Sequence, residues 1–345
     1  MHPHFSLFPC PFSLSSAFTQ ALLYSHGRRP VRELVDPMKR FILLLTASTL
    51  GIAALPSAKV AVHEADGFRI ITSNGLPDHK PGTFPRKGNP NTISAQNYTF
   101  RVPLKPVVAE RPVSSQHYSF GVALNGVPFE PGTAEFWNFD PGSGWKYEAM
   151  SGKIDLGLDE HNAHVQPTGS YHYHGLPTGL IARLGGDGKK MLLVGYAADG
   201  FPIYTSHGYS DPNDSKSPLK KLRSSYQVKK GTRPDGPGGT YDGTFTQDYE
   251  YVAGSGDLDD CNGLYGPTPE HPEGIYHYHI TAEFPQLSRL YKGTPDSSFE
   301  KRGPGPGGPG GPGGPGGPRG RGRAPRGGRP GENPLAFPQF PPLEH

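Results

Sequence analysis

The sequence Tyr-His-Tyr-His occupies residues 171–174 and recurs at residues 276–279. Tyrosine is typical of strands, and side chains two residues apart in an extended strand lie on the same face. Each copy therefore places two imidazoles on one face and two phenol rings on the other. The strict alternation predicts a β-strand at each copy, with a pair of metal-binding side chains on one face and core tyrosines on the other.

Shared features precede both strands in the same order. An Asn-Gly pair at 125–126 and an Asp-Gly pair at 199–200 predict two hairpins with tight turns, because such pairs accept a positive φ. Segments 158–163 and 258–263 then repeat a Leu-Asp-acidic-x-Asn pattern before each Tyr-His-Tyr-His strand. The common order predicts an internal duplication that forms one pseudo-twofold domain. Its half-repeats are predicted at residues 112–182 and 190–293.

Composition favours a mainly β fold with many loops. The chain of 345 residues contains 48 Gly and 40 Pro, and hydrophobic residues make up 34%, which is low for a large helical core. The 17 tyrosines and 18 phenylalanines supply aromatic mass for packing between strands. We expect a β-rich domain over residues 112–298, preceded by strands or a linker at 59–111.

Residues 1–58 predict an export leader. A Met-Lys-Arg segment at 38–40 precedes an apolar run at 41–55, which is the pattern of a signal peptide spanning 38–58. Residues 1–37 are then an upstream extension from a mis-called start. The apolar run, about 15 residues, is shorter than the roughly 20 that a membrane span needs. We therefore expect a secreted or periplasmic protein.

Residues 299–345 predict a disordered tail rich in Gly, Pro and Arg. Residues 301–345 carry seven Lys and Arg against two acidic residues, whereas residues 59–300 carry 22 Lys and Arg against 27 Asp and Glu. The formal net charge of +3 thus combines a basic tail with an acidic domain. On an exported protein, such a tail favours an anionic surface polymer or lipid as partner, and no specific nucleic acid is expected.

The histidines predict metal binding in both halves. His172 and His174 share a strand face, His161 and His164 lie upstream across a turn, and imidazole suits both zinc and copper. One site per half and a single shared site both fit this pattern. In the second half the corresponding candidate ligands are His277, His279, His271 and Cys261.

Acidic and amide side chains precede both histidine pairs. Such residues shape turns through hydrogen bonds to the backbone, and carboxylates can also orient imidazole ligands. We expect mainly the turn-forming role. The residues concerned are Asp159, Glu160, Asn162, Asp259, Asp260 and Asn262.

Several enzyme classes lack their sequence motifs. The chain has no Gly-x-Ser-x-Gly elbow, no His-Glu-x-x-His pair, no Walker loop and no dinucleotide fingerprint, so no nucleotide cofactor is expected. Three functions stay open. They are an exported metal-binding module holding zinc or copper, a metal-dependent oxidoreductase or hydrolase on the same ligands, and a structural or adhesive surface protein in which a Tyr/His ladder rigidifies the strands without metal.

Beyond the two Tyr-His-Tyr-His strands, three segments carry a resemblance to a known family. They are Asp-Gly-Phe-Pro-Ile-Tyr at 199–204, Leu-Asp-Asp-Cys-Asn-Gly at 258–263 and Thr-Pro-Glu at 268–270. With these segments, residues 112–295 resemble the YHYH-domain proteins, exported proteins named after the motif. The resemblance implies export and assigns no catalytic residue.

Overall fold

The computed structural model describes residues 57–301. The predicted leader, apart from its last two residues, and the tail beyond residue 301 lie outside the described residues. Within 57–301, no helix combines the length and apolar character that crossing a bilayer requires. Short strands joined by loops dominate this part of the chain, which confirms the mainly β fold.

The strands are β1 (Val60–Ala65), β2 (Phe68–Ser73), β3 (Tyr98–Pro103), β4 (Val108–Ser114), β5 (Gly121–Ala123), β6 (Pro128–Phe129), β7 (Ala163–Val165), β8 (Tyr171–Tyr173), β9 (Leu193–Ala197), β10 (Pro202–Tyr204), β11 (His207–Tyr209), β12 (Leu219–Lys221), β13 (Tyr226–Val228), β14 (Tyr249–Tyr251), β15 (Gly263–Gly266), β16 (Ile275–His279) and β17 (Leu290–Gly293). The helix α1 spans Thr178–Arg183. Single 3₁₀ turns lie at Trp137–Phe139, Pro141–Ser143, Thr246–Asp248 and Ser297–Phe299.

Eight strands form the central sheet, in the order β15-β16-β10-β9-β5-β6-β8-β7. Going outward from the β9–β5 pair, both sides contain a hairpin, a parallel neighbour and an antiparallel edge strand. The predicted Tyr-His-Tyr-His strands are β8 and β16, one position in from each edge. The two half-sheets therefore have the same connectivity, while an internal duplication as its origin stays a prediction.

Tight turns join the strands of both central hairpins. In the first, the Ala123 backbone N–H donates to the Val127 carbonyl at 2.9 Å, and Gly126 adopts a φ of 78°. In the second, Gly200 adopts a φ of 96° and donates its N–H to the Ala197 carbonyl at 2.9 Å. Glycine accepts this left-handed conformation without strain, so the turns predicted from the Asn-Gly and Asp-Gly pairs are confirmed.

Asx turns precede β7 and β15. Asp159 Oδ1 accepts the backbone N–H groups two and four residues later, and Asp259 Oδ1 does the same. Asn162 and Asn262 adopt left-handed φ values of 57° and 56°, a conformation that asparagine tolerates. These four residues therefore shape the turns that precede β7 and β15.

The tyrosines of β8 and β16 point into the core. All four are at most 3% exposed. The Tyr173 hydroxyl accepts a hydrogen bond from Asn125 Nδ2 at 3.0 Å, and the Tyr278 hydroxyl donates to Asp199 Oδ2 at 2.5 Å. Each hairpin turn is thus tied to the neighbouring Tyr-His-Tyr-His strand, which fixes the histidines on the opposite face.

Smaller sheets surround the central one. They are β1-β2-β3, β4-β17, β11-β12 and β13-β14. The loop before β3 covers the free edge of β7. Asn89 and Asn91 in this loop both donate side-chain N–H groups to the Val165 carbonyl. Covering an edge strand in this way satisfies its backbone and fixes its position.

Candidate metal centre

Three histidines converge on the face of the sheet opposite the tyrosines. The antiparallel register of β7 and β8 pairs His164 with His172, and His174 follows two residues later. His174 Nε2 lies 3.0 Å from His172 Nε2 and 3.0 Å from His164 Nε2. Three ring nitrogens from two strands thus meet at one point, and we call these residues the histidine triad.

Backbone carbonyls fix the tautomers of two members of the triad. His164 Nδ1 lies 2.8 Å from the Leu156 carbonyl oxygen, and His172 Nδ1 lies 3.3 Å from the Ser170 carbonyl oxygen. A carbonyl only accepts hydrogen bonds, so each Nδ1 carries the proton and each Nε2 presents a lone pair. The lone pairs of His164 Nε2 and His172 Nε2 therefore both face His174 Nε2. Without a metal ion, a single proton on His174 Nε2 is the only donor available to these two acceptors.

The geometry of the triad suits a metal ion. Its ligand atoms all lie within 4.8 Å of one another. Zinc binds imidazole nitrogen at roughly 2.0–2.1 Å, so nitrogens around a tetrahedral ion are about 3.3 Å apart, near the spacing of the triad. Imidazole also suits copper. The triad can hold either ion, and a single ion would occupy all three lone pairs.

Burial favours the neutral form of two members of the triad. His172 and His174 are each 2% exposed. Burial lowers the pKa of His172 to about 4, against a smaller opposing effect of Glu130, and it lowers the pKa of His174 well below its ordinary value. Neutral imidazole is the form that binds metals, so two of the three ligands are ready for an ion at neutral pH.

A buried carboxylate lies on the same face as the triad. Phe129 pairs with Tyr173 and packs on the tyrosine face, so alternation places the next side chain, Glu130, on the histidine face. Glu130 Oε2 lies 2.7 Å from Lys301 Nζ and accepts from Gln166 Nε2 at 2.9 Å. Its negative charge raises the pKa of His172, whereas the paired Lys301 ammonium lowers it. Glu130 was not predicted from the sequence. The alternation of side chains along a strand could have identified it, because Glu130 directly follows the apolar Phe129.

The second histidine pair lacks a third ligand. His277 Nδ1 lies 2.9 Å from the Ile275 carbonyl and His279 Nδ1 lies 2.7 Å from the Thr205 carbonyl, so both Nε2 atoms again present lone pairs. Leu264 occupies the register position opposite His277 that His164 occupies opposite His172. Within residues 57–301, no further His, Cys, Asp or Glu joins this pair in a group within 4.8 Å.

Two histidines that the sequence analysis proposed as ligands lie elsewhere. His161 Nδ1 contacts Thr178 Oγ1 at 2.8 Å and its Nε2 contacts the Lys80 carbonyl at 3.0 Å. His271 Nδ1 contacts the exposed Glu273 carboxylate at 3.2 Å. The structure therefore brings together only three of the four histidines proposed in the first half.

Asp259, Asp260 and Cys261 form a second group whose ligand atoms lie within 4.8 Å of one another. This group can also hold a metal ion, but burial raises the pKa of the Cys261 thiol, which disfavours the thiolate that metals bind. Asp259 Oδ2 already pairs with Lys292 Nζ at 2.9 Å. Turn formation accounts for this group better than ligation does.

The carboxylates expected to orient imidazoles contact tyrosines instead. Asp159 accepts from the Tyr171 hydroxyl at 2.7 Å, and Asp259 accepts from the Tyr276 hydroxyl at 2.8 Å. Glu160 is exposed, 3.9 Å from His161 Nε2. The Asx turns lie on the tyrosine side of the sheet, whereas backbone carbonyls contact the Nδ1 atoms of His164, His172, His277 and His279.

Comparison with known proteins identifies a family. The sequence profile described as YHYH protein matches residues 99–293, which is more than half of the chain. The match begins at β3 and ends at β17, and it therefore includes both histidine pairs. No curated protein and no solved structure matches the chain significantly. The chain belongs to the YHYH protein family.

Proposed function

We propose that the protein is an exported metal-binding module that holds one zinc or copper ion on the Nε2 atoms of His164, His172 and His174. The observation that carries the proposal is the meeting of these nitrogens, two with their protons committed to carbonyls on the far side of the ring. In a purely structural Tyr/His ladder, one imidazole proton would have to serve two acceptors. A metal ion resolves this conflict.

Burial favours binding over catalysis. An enzyme on the same ligands needs a substrate-sized opening beside the ion. His172 and His174 are almost fully enclosed, so a bound ion has little room for a substrate. The nearby Glu130 carboxylate is already paired with Lys301, so it contributes no ligand to the proposed ion.

Zinc analysis of the His164→Leu variant tests the proposal. Leucine occupies the equivalent position of the second half, so this substitution resembles a residue that the fold already accepts. We expect wild-type protein, dialysed against zinc, to retain about one equivalent and the variant to bind at least tenfold more weakly. Elemental analysis measures the zinc content, and circular dichroism monitors the fold.

His161→Leu is the matched control. His161 lies three residues upstream of His164 and outside the triad, so its removal should leave zinc content unchanged. Wild-type protein that retains neither zinc nor, in a parallel dialysis, copper would contradict the proposal. A folded His164→Leu variant that binds these ions as tightly as wild type would also contradict it.

Export and surface attachment complete the proposed function. The signal peptide predicted at residues 38–58 would direct the domain out of the cytoplasm. The basic charge of residues 301–345 would then favour contact with an anionic surface polymer or lipid.

A further inference from the structure

The second histidine pair borders a narrow recess. Its walls are formed by Gly208, Tyr209, Pro212, Leu222, Leu264 and Pro267. His277 and His279 line the recess, and their ring centroids are 5.0 Å apart, close to the 4.8 Å between His172 and His174. His279 Nε2 is fully buried and has no hydrogen-bond partner among the described residues. A buried nitrogen lone pair without a partner is costly, so this atom points to a ligand.

The size of the recess restricts that ligand. It is too narrow to admit a water molecule. A side chain at Gly208 would close it further, since a Cβ atom there would lie 3.1 Å from His279 Cε1 and 2.7 Å from Leu222 Cδ1. A bare metal ion is smaller than water and accepts nitrogen lone pairs directly.

Charge distinguishes this pair from the triad. Phe129 pairs with Tyr173 in the first half, and Ile203 pairs with Tyr278 in the second. The next residue is the acidic Glu130 in the first half and Tyr204 in the second. The Tyr204 hydroxyl donates away from the pair, towards Glu270 at 2.6 Å and Thr268 at 2.8 Å. The pair thus has apolar walls and no carboxylate in its ligand group, so it suits an ion of low charge.

We infer that His277 and His279 form a separate site for monovalent copper. Zinc in a structural site takes four ligands, and the recess offers two nitrogens and no space for water. Cuprous copper has a single charge and needs fewer ligands than zinc, and imidazole is among the ligands that suit copper. The site does not depend on occupancy of the triad.

Cuprous titration of zinc-treated protein tests this inference. The full chain is first incubated with one equivalent of zinc and then titrated anaerobically with Cu(I) against a chromophoric Cu(I) chelator. We expect wild-type protein to bind one equivalent. The His279→Leu variant should bind at least tenfold more weakly because it loses one of two ligands.

Gly208→Ala provides a second variant that keeps both ligands. Its methyl group fills the recess, so we expect at least tenfold weaker Cu(I) binding with zinc content unchanged. Gly132→Ala, at a position where a Cβ meets only Lys146 Nζ, at 3.6 Å, is the matched control and should bind Cu(I) like wild type. Failure of wild type to bind Cu(I), or binding by either recess variant as tight as wild type, overturns the inference.

The two proposals fail separately. Zinc content is measured in the same samples and reports on His164, whereas the dependence of Cu(I) binding on His279 reports on the second pair. Protein whose zinc and copper content does not depend on His164, but which loses Cu(I) binding on His279→Leu, would contradict the proposal for the triad and support the cuprous site.

Discussion

Single residues decide the chemistry of each half of the sheet. The register positions that hold His164 and Glu130 in one half hold Leu264 and Tyr204 in the other. The carbonyl two residues upstream fixes the Nδ1 proton of the first histidine in each pair. In the second histidine, Nδ1 bonds the Thr205 carbonyl in His279 and has no partner among the described residues in His174. The number of ligands and the local charge therefore differ between the two halves, although a Tyr-His-Tyr-His strand presents the histidines in both.

A histidine at position 264 would supply the third ligand that the second histidine pair lacks. We expect Leu264→His to raise zinc binding from about one to about two equivalents per chain, because a third imidazole would then face His277 as His164 faces His172. Elemental analysis after dialysis measures this change. Leu264→Met, which adds no imidazole, should leave one equivalent, and an unchanged zinc content in folded Leu264→His protein would count against the equivalence of the two positions.

Asp199 makes stability depend on pH. Burial raises the pKa of Asp199 to about 6, despite hydrogen bonds from Tyr278 and Gly293. The folded protein therefore binds the proton more tightly than the unfolded chain, whose pKa is near 3.8. The contribution of Asp199 to the free energy of unfolding is greatest below pH 4, falls by about 2 kcal/mol between pH 4 and pH 6, and is lost above about pH 7.

The Asp199→Asn variant should lack this fall. Asparagine already occupies the equivalent turn position, Asn125, and does not titrate in this range. Urea denaturation of metal-free protein at pH 4, 5 and 6 measures the difference between wild type and variant. Parallel pH profiles for the two proteins would show that Asp199 titrates normally in the fold.

At this scale the sequence predicted much of the candidate site. Alternation alone identified the pairs His172/His174 and His277/His279 and placed the tyrosines in the core. It could not separate His164 from His161, because strand register decides which of them faces the pair and register depends on tertiary contacts. Glu130 was missed because its proximity to the triad arises from the parallel pairing of β6 and β8.

Among the elements, the hairpin turns position the Tyr-His-Tyr-His strands. Gly200 adopts a φ of 96°, and a Cβ there would lie 2.7 Å from the Pro103 carbonyl oxygen. Gly200→Ala therefore combines backbone strain with a collision between the turn and the end of β3. We expect a loss of at least about 1–2 kcal/mol in the free energy of unfolding, measured by urea denaturation.

A second glycine provides the control for this measurement. Gly144 has a φ of 73° and no atom within 4 Å of a Cβ, so Gly144→Ala isolates the conformational strain. We expect Gly200→Ala to be the more destabilising of the two. Equal losses would mean that contact with Pro103 contributes nothing.

The hairpins and Asx turns could be predicted because their conformations follow from local chemistry. Asn-Gly, Asp-Gly and Asp-x-x-Asn segments satisfy backbone groups within a few residues. The β4–β17 and β13–β14 pairs could not be predicted. Their strands are not joined by a short turn, and no sequence pattern indicates that they pair.

For the whole molecule, the domain and the basic terminal segment are expected to act independently. The described core ends near Lys301, which pairs with Glu130. Deleting residues 303–345 should therefore change the melting temperature by less than about 2 °C, because it removes none of the contacts within residues 57–301. Differential scanning calorimetry measures this.

The same deletion should weaken binding to an anionic polymer. The wild-type chain is expected to elute from a heparin column at higher salt than the truncated chain, because the removed segment carries most of the excess basic charge. Elution at the same salt concentration would contradict the proposed role of this segment. A truncated chain that melts much lower would show that the segment stabilises the domain.

The mainly β class was predictable from composition, whereas the strand order was not. Eight strands join in an order that combines two parallel pairs with five antiparallel pairs across separate chain segments. Only this arrangement explains why each histidine pair lies next to an edge strand, and hence why an edge residue, His164 or Leu264, decides whether the pair gains a third ligand.

X-ray absorption spectroscopy of zinc-loaded protein tests the central claim most directly. The account predicts three histidine imidazoles bound to the ion, with zinc–nitrogen distances of about 2.0–2.1 Å and the multiple scattering typical of imidazole rings. His164→Leu should lose this signature, while His161→Leu should retain it. A spectrum from wild-type protein with oxygen or sulfur ligands and no imidazole scattering would contradict the assignment of the triad.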